Sequence, residues 1–239
     1  MKTILHPAHT RGHANYGWLD TWHTFSFAHY FNPDRMNFGA LRVLNDDTVQ
    51  GGKGFGRHPH HNMEIISIPL SGELEHADSM GNKAVIGEND VQIMSAGTGV
   101  EHSEYNKHAD RPVSFLQIWI FPKERNIAPR YDQRTFSPEQ RHNRWQLLVS
   151  PVASNGSVII NQDAWLYRIT LSENTSIDYQ LHRNDNGTYL FVIDGSVQLD
   201  NLQLNKRDGA GIWETGKIGV KANTLTDLLL IEVPLSLES

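Results

Sequence analysis

No cysteine occurs anywhere in this chain. It therefore has no disulfide framework, no thiolate metal site and no thiol nucleophile. An apolar leader is missing too, because Met1-Lys2-Thr3-Ile4-Leu5-His6-Pro7 lacks the hydrophobic core of a signal peptide. No stretch approaches the roughly 18 apolar residues that span a bilayer. A cytoplasmic protein with no membrane partner is the expectation. Positive charge is also scarce, with 21 Lys and Arg against 27 Asp and Glu and a formal net charge of -6 with neutral histidines. That balance leaves no footprint for a phosphate backbone and excludes direct nucleic-acid binding as an expected function.

What the chain does have is histidine and glycine, 13 of the first and 19 of the second. Many short alternating segments accompany them, which favours an all-β fold. The length of 239 residues suits one large or two modest domains, and either buries a substantial core.

The chemistry is concentrated in Arg57-His58-Pro59-His60-His61-Asn62-Met63-Glu64 and in Gly99-Val100-Glu101-His102-Ser103-Glu104. Side chains two apart on extended backbone point the same way. His58 and His60 can therefore share one ion, and so can His102 and Glu104. Each pair borders a run that reads as a strand, Glu64 to Leu70 and Val91 to Met94. If those strands lie side by side, three imidazoles and one carboxylate converge. One divalent ion there would leave a net charge of about +1, and an imidazole-rich donor set suits Fe, Ni, Cu, Zn or Mn.

Gly52, His58-Pro59-His60 and Gly72 resemble the first motif of the cupin superfamily, and Gly99, His102 and Asn106 resemble the end of the second. Glu64 comes one residue earlier than the common cupin spacing, which reverses its face and leaves Glu104 as the carboxylate. HPH followed later by HSE is similar to the pirin family. So are Trp22-His23-Thr24-Phe25-Ser26-Phe27, Ser79-Met80-Gly81-Asn82, Met94 to Gly99 and Gln117-Ile118-Trp119, so that the resemblance covers nearly the whole chain. It implies a bicupin of two β jelly rolls. It also implies iron, as Fe(II), held by His58, His60, His102 and Glu104. The activity implied is that of a dioxygenase which opens the central ring of a flavonol such as quercetin with O2 and releases carbon monoxide. Glu104 would then be the catalytic group, ligating the ion or swinging off to take the flavonol hydroxyl proton. Two alternatives keep the same ligands. One is a non-catalytic metal-sensing regulator acting through a protein partner, and the other is an oxygen-independent isomerase or hydrolase.

Along the chain, residues 1–16 read as surface or edge, and Trp22 to Phe27 as the first strong strand. Phe38 to Leu44 reads as the next, closed by an Asn45-Asp46-Asp47 turn. The loop Gly51 to Gly56 reads as a rim that lets backbone approach the metal pocket. His76 and Asp78 share a face that could border that pocket, whereas His23 and His29 read as packed rather than ligating. Gln117, a lone amide in the apolar run Phe115 to Phe121, needs partners and is a candidate to line the pocket. Pro122 to Arg134 reads as a linker, followed by a short helix capped at Ser137 with Pro138 at its first position.

The expected organisation is a metal-binding domain over 1–122, a linker with a short helix over 123–142, and a degenerate second cupin domain over 143–239. Laying Gly195 on Gly72 puts Leu181 at His58, Arg183 at His60 and Gly187 at Glu64. Laying Asp208 on Asp90 puts Val220 at His102 and Ala222 at Glu104. The second half is expected to hold no metal, with His182 one position out of register.

Overall fold

The computed structural model describes residues 1–154 and 156–236, so the last three positions of the expected second domain lie outside the described residues. The first twelve strands are β1 (Lys2–His6), β2 (Gly12–Asn15), β3 (Leu19–His23), β4 (Leu41–Val49), β5 (Gly54–His60), β6 (Glu64–Ser71), β7 (Leu74–Asp78), β8 (Lys83–Ile86), β9 (Asp90–Ser95), β10 (Val100–Asn106), β11 (Val113–Ile120) and β12 (Arg130–Thr135). Ten more follow: β13 (Gln146–Ser150), β14 (Val158–Ile159), β15 (Trp165–Leu171), β16 (Ser176–Gln180), β17 (Asn186–Asp194), β18 (Ser196–Leu199), β19 (Leu202–Asn205), β20 (Gly209–Trp213), β21 (Lys217–Ala222) and β22 (Thr226–Pro234). Two 3-10 turns, Ala8–Thr10 and Pro138–Arg141, complete the regular structure, and no α-helix occurs among the described residues.

These strands form two jelly rolls, each a large sheet facing a small one. The first pairs β12-β9-β6-β11-β4-β3-β2 with β5-β10-β7-β8, and the second pairs β1-β20-β17-β22-β15-β13-β14 with β16-β21-β18-β19. In the first large sheet, Ile66, Ile68, Leu116 and Ile118 turn outward and share one core with Leu148, Tyr189, Phe191 and Leu229 of the second. The two barrels are thus joined back to back through their large sheets. The opposite face of the first large sheet looks into its own barrel, where the cross-strand row Gln92, Ser67, Gln117, Asn45 and His23 is polar.

Several segments differ from the sequence reading. The strand expected over Trp22 to Phe27 instead spans Leu19–His23, because Phe27 and Tyr30 exchange backbone hydrogen bonds and Ser26 N–H donates to Arg35 O, folding the chain back. Phe38 bridges to Leu41, so the next strand starts at Leu41. It then runs straight through Asn45-Asp46-Asp47, expected as a turn, because β11 and β3 pair with it on both sides. Asp46 carries the ion partners Arg11 and Arg207 at 3.5 and 3.1 Å.

The segment read as a linker contains β12, which pairs with β9 and edges the first large sheet. The expected helix is one 3-10 turn with Pro138 at its start, and the Ser137 hydroxyl is taken by Glu139 rather than by a backbone N–H. The N-terminal strand β1 crosses over to pair with β20 of the second barrel. Finally, the register drawn through Gly195 fails at β16. Val220 pairs with Ile177, as His102 pairs with His58, so Ile177 and not Leu181 stands where His58 does.

Candidate metal centre

Strand β10 is the middle of the site. Its buried positions alternate as Val100, His102, Glu104 and Asn106, the period-two pattern of extended backbone. On one side His102 lies opposite His58 of β5, with a bulge between His102 and Glu104. On the other side His102 lies opposite Asp78 and Glu104 opposite His76 of β7. Gly54 makes the close approach of β5 possible, since a Cβ there would lie 2.2 Å from Glu104 O. The glycine loop expected as a rim for backbone approach has this steric basis.

The donor atoms of His58, His60 and His102 lie within 4.8 Å of one another, and so do those of His76, His102 and Glu104. His102 belongs to both groups. Its Nε2 is 3.0 Å from His60 Nε2, the separation of two neighbouring nitrogens each about 2.1 Å from one ion. His58 Nδ1 lies 2.7 Å from Gly56 O, which favours the Nδ1–H tautomer and leaves Nε2 free as a donor atom. Burial, followed by the neighbouring imidazoles, lowers His60 and His102 to about 3. Neutral imidazole is the form that ligates a cation. His102 Nδ1 and His76 Nδ1 are buried without a hydrogen-bond partner. These donors fit a divalent transition ion.

Glu104 is buried and held from two sides. Ser67 Oγ donates to Oε1 at 2.9 Å, and Gln117 Nε2 donates to Oε2 at 2.8 Å. Trp119 Nε1 in turn donates to Gln117 Oε1 at 3.2 Å, so the lone amide of β11 finds its partners at the site. Trp119 also meets His60 edge-on, with ring centroids 4.9 Å apart. Phe27 lies against Trp119, and Tyr131 against His76. His58, His60, Gln117, Trp119 and Tyr131 are half-buried, so solvent reaches this end of the barrel.

Glu64 is turned away, accepting from Ser95 Oγ at 2.7 Å and from Asn161 N–H at 3.2 Å. His23 sits beside Thr21 at 2.9 Å, and neither His23 nor His29 enters the donor groups. His76 and Asp78 are fully buried and in contact at 3.1 Å. His76 is thereby a candidate donor and not merely a border of the pocket. Sequence spacing missed Ser67, Trp119 and Asp47. Burial pushes the Asp47 carboxyl up to about 7, opposed by a hydrogen bond from Thr21. The signal for Ser67 was available, as a polar residue inside an otherwise apolar strand.

The Pirin family model matches residues 5–120, and the model of the quercetinase C-terminal cupin domain matches residues 147–233. A quercetin 2,3-dioxygenase of Escherichia coli strain K12 is 44% identical over 96% of this chain and 98% of its own. The chain belongs to the pirin family. A pirin-like protein of Caulobacter vibrioides is 38% identical over 95% of this chain and 97% of its own. Among solved structures, the bacterial pirin YhhW of E. coli in complex with nickel(II) superposes with a TM-score of 0.92 at 43% identity, covering 98% of this chain and 99% of that one.

In the second barrel of this pirin, the positions opposite one another in the small sheet are apolar. Val220 and Ala222 stand at His102 and Glu104, and Leu199 and Val197 at Asp78 and His76. They belong to a closed hydrophobic cluster with Tyr179, Leu190 and Ile212. Both donor groups found among the described residues lie in the first barrel.

Proposed function

We propose that this pirin is a metal-dependent dioxygenase that opens the heterocyclic ring of a flavonol such as quercetin with O2. The observation that carries the reading is two overlapping donor groups, His58-His60-His102 and His76-His102-Glu104, joined at His102, with Glu104 hydrogen-bonded at both oxygens, at the aromatic-lined, solvent-reached end of a barrel. Relatives named quercetin 2,3-dioxygenase along nearly the whole chain support it. His58, His60, His102 and Glu104 would hold the ion. Fe(II) is the first candidate from the family resemblance, and the nickel(II) of the E. coli structure makes Ni the next. When bound, a divalent ion supplies Lewis acidity and open positions for substrate and O2.

The protein's own groups prepare the substrate. Ser67 and Gln117 fix the Glu104 carboxylate through one hydrogen bond to each oxygen, leaving lone pairs on each for the ion or for the flavonol hydroxyl proton. Trp119, Phe27 and Tyr131 offer faces and edges to a flat phenolic ring. The overall change consumes one flavonol and one O2 and yields the ring-opened ester and carbon monoxide.

The test is oxygen uptake and carbon monoxide release on quercetin by the metal-loaded protein. Glu104→Gln is expected to lower kcat by about 10²–10⁴-fold, and His60→Ala to abolish turnover, both with an unchanged far-ultraviolet circular dichroism spectrum. Undiminished turnover in either variant would overturn the assignment. Product formation that continues without O2 would move the reading to an oxygen-independent enzyme.

A further inference from the structure

Between the two barrels lies a groove of about 820 Å³ that is separate from the imidazole site. Its apolar surface comes from Met63, Phe121, Pro122 and Pro234. Its charged surface comes from Lys123, Arg125 and Arg183 against Asp163 and Asp185. Among the described residues three cations and two carboxylates line this place, on a chain whose formal net charge is -6. Asp163 Oδ2 holds Lys123 Nζ at 3.0 Å and Arg183 Nη1 at 3.4 Å, which sets two cations side by side. Arg125 makes no ion pair among the described residues, so its guanidinium fork is available to an incoming anion.

We propose that this groove binds a small aromatic anion. The volume is that of a small-molecule site. A thioether, a phenyl ring and two pyrrolidine rings suit a planar ring, while Arg125 takes the negative group. A neutral flavonoid-like ring would use the apolar surface and leave the cations unanswered. The floor is braced for the purpose: Gln162 Nε2 donates to Phe121 O at 2.8 Å, and Lys123 N–H donates to Asn161 O at 2.7 Å.

The groove also touches the segment that carries His60. Asn62 N–H donates to Gly97 O at 3.0 Å, and Asn126 N–H donates to Asn62 Oδ1 at 2.6 Å, pinning residues 61–63. Met63 packs with Met94 and Trp119 in one cluster, and Trp119 meets His60. A methionine methyl therefore reports occupancy of the groove without any turnover. The proposal stands apart from the dioxygenase reading.

The experiment is a titration of the full chain, labelled at its methionine methyls, with 4-hydroxybenzoate and with the neutral 4-hydroxybenzamide, followed by nuclear magnetic resonance. Five methionines give five reporters. The expected result is a saturable shift at Met63, a smaller one at Met94, and none at the exposed Met1, Met36 and Met80. The amide should produce no comparable shift. Arg125→Glu should weaken the benzoate by about tenfold or more, and His58→Ala should leave it unchanged. A still Met63 resonance, equal binding of the amide, or indifference to Arg125→Glu would overturn the proposal. Loss of the shift in His58→Ala would also overturn it, by placing the anion at the imidazole cluster, and would leave the dioxygenase reading standing.

Discussion

Three imidazoles with centroids 4.5 to 4.9 Å apart cannot all carry protons, because like charges at that range disfavour the charged form. Burial first, and that crowding second, keep His60 and His102 neutral and available to a cation. The pairs were visible in the sequence because H-x-H and H-x-E have the period of a strand, whereas the preference for Glu104 over Glu64 needed the family resemblance and His76 entered a donor group only through the fold. Asp47 was illegible because Asn45-Asp46-Asp47 has the composition of a turn, and only pairing on both sides of β4 makes it a strand. Its carboxyl, raised to about 7 from an unfolded value of 3.8, gives a prediction. The folded chain holds this proton more tightly than the unfolded one, so the burial penalty is full above pH 7 and shrinks as the pH falls toward 3.8. Asp47→Asn is expected to raise Tm by more near pH 8.5 than near pH 5, read by thermal melts against the unsubstituted protein. An equal change at both would contradict it. His60 and His102 have lowered values and the opposite sign, but they cancel in that difference.

At the scale of elements, the site depends on the small sheet β5-β10-β7-β8 more than on any single ligand. β10 carries His102 and Glu104, and its neighbours carry His58 and His60 on one side and His76 and Asp78 on the other. Strands such as Glu64 to Ser71 were legible from apolar runs ended by a glycine turn, here Gly72 with φ +77°. Pairing between distant segments was not, since nothing local to Lys2–His6 says that its partner is β20. There His6 Nδ1 lies 2.9 Å from Tyr189 Oη, and five backbone pairs run along the edge. Deleting residues 1–7 should therefore loosen the second barrel and spare the imidazole sheet. Hydrogen exchange is expected to quicken at Gly209–Trp213 while Val100–Asn106 keeps its protection. Equal loss in both, or none in either, would be the contrary outcome.

As a whole molecule, the chain carries both donor groups found among the described residues in one barrel and an apolar filling in the other. The second barrel carries Ile177, Val197, Leu199, Val220 and Ala222 at the positions where the first has donors, and none of these side chains offers a ligand atom. The shared core between the large sheets joins both barrels, so they should unfold together. Ile118→Ala is expected to cost about 2–5 kcal/mol, with far-ultraviolet circular dichroism and tryptophan fluorescence still reporting one transition. Separated transitions would contradict a common core. The most direct test of the account is elemental analysis of the chain purified without added metal, alongside His102→Ala and His182→Ala. About one divalent transition ion per chain, lost in His102→Ala and kept in His182→Ala, is the expected result. Metal retained in His102→Ala, or lost in His182→Ala, would contradict the assignment of the centre to the first barrel.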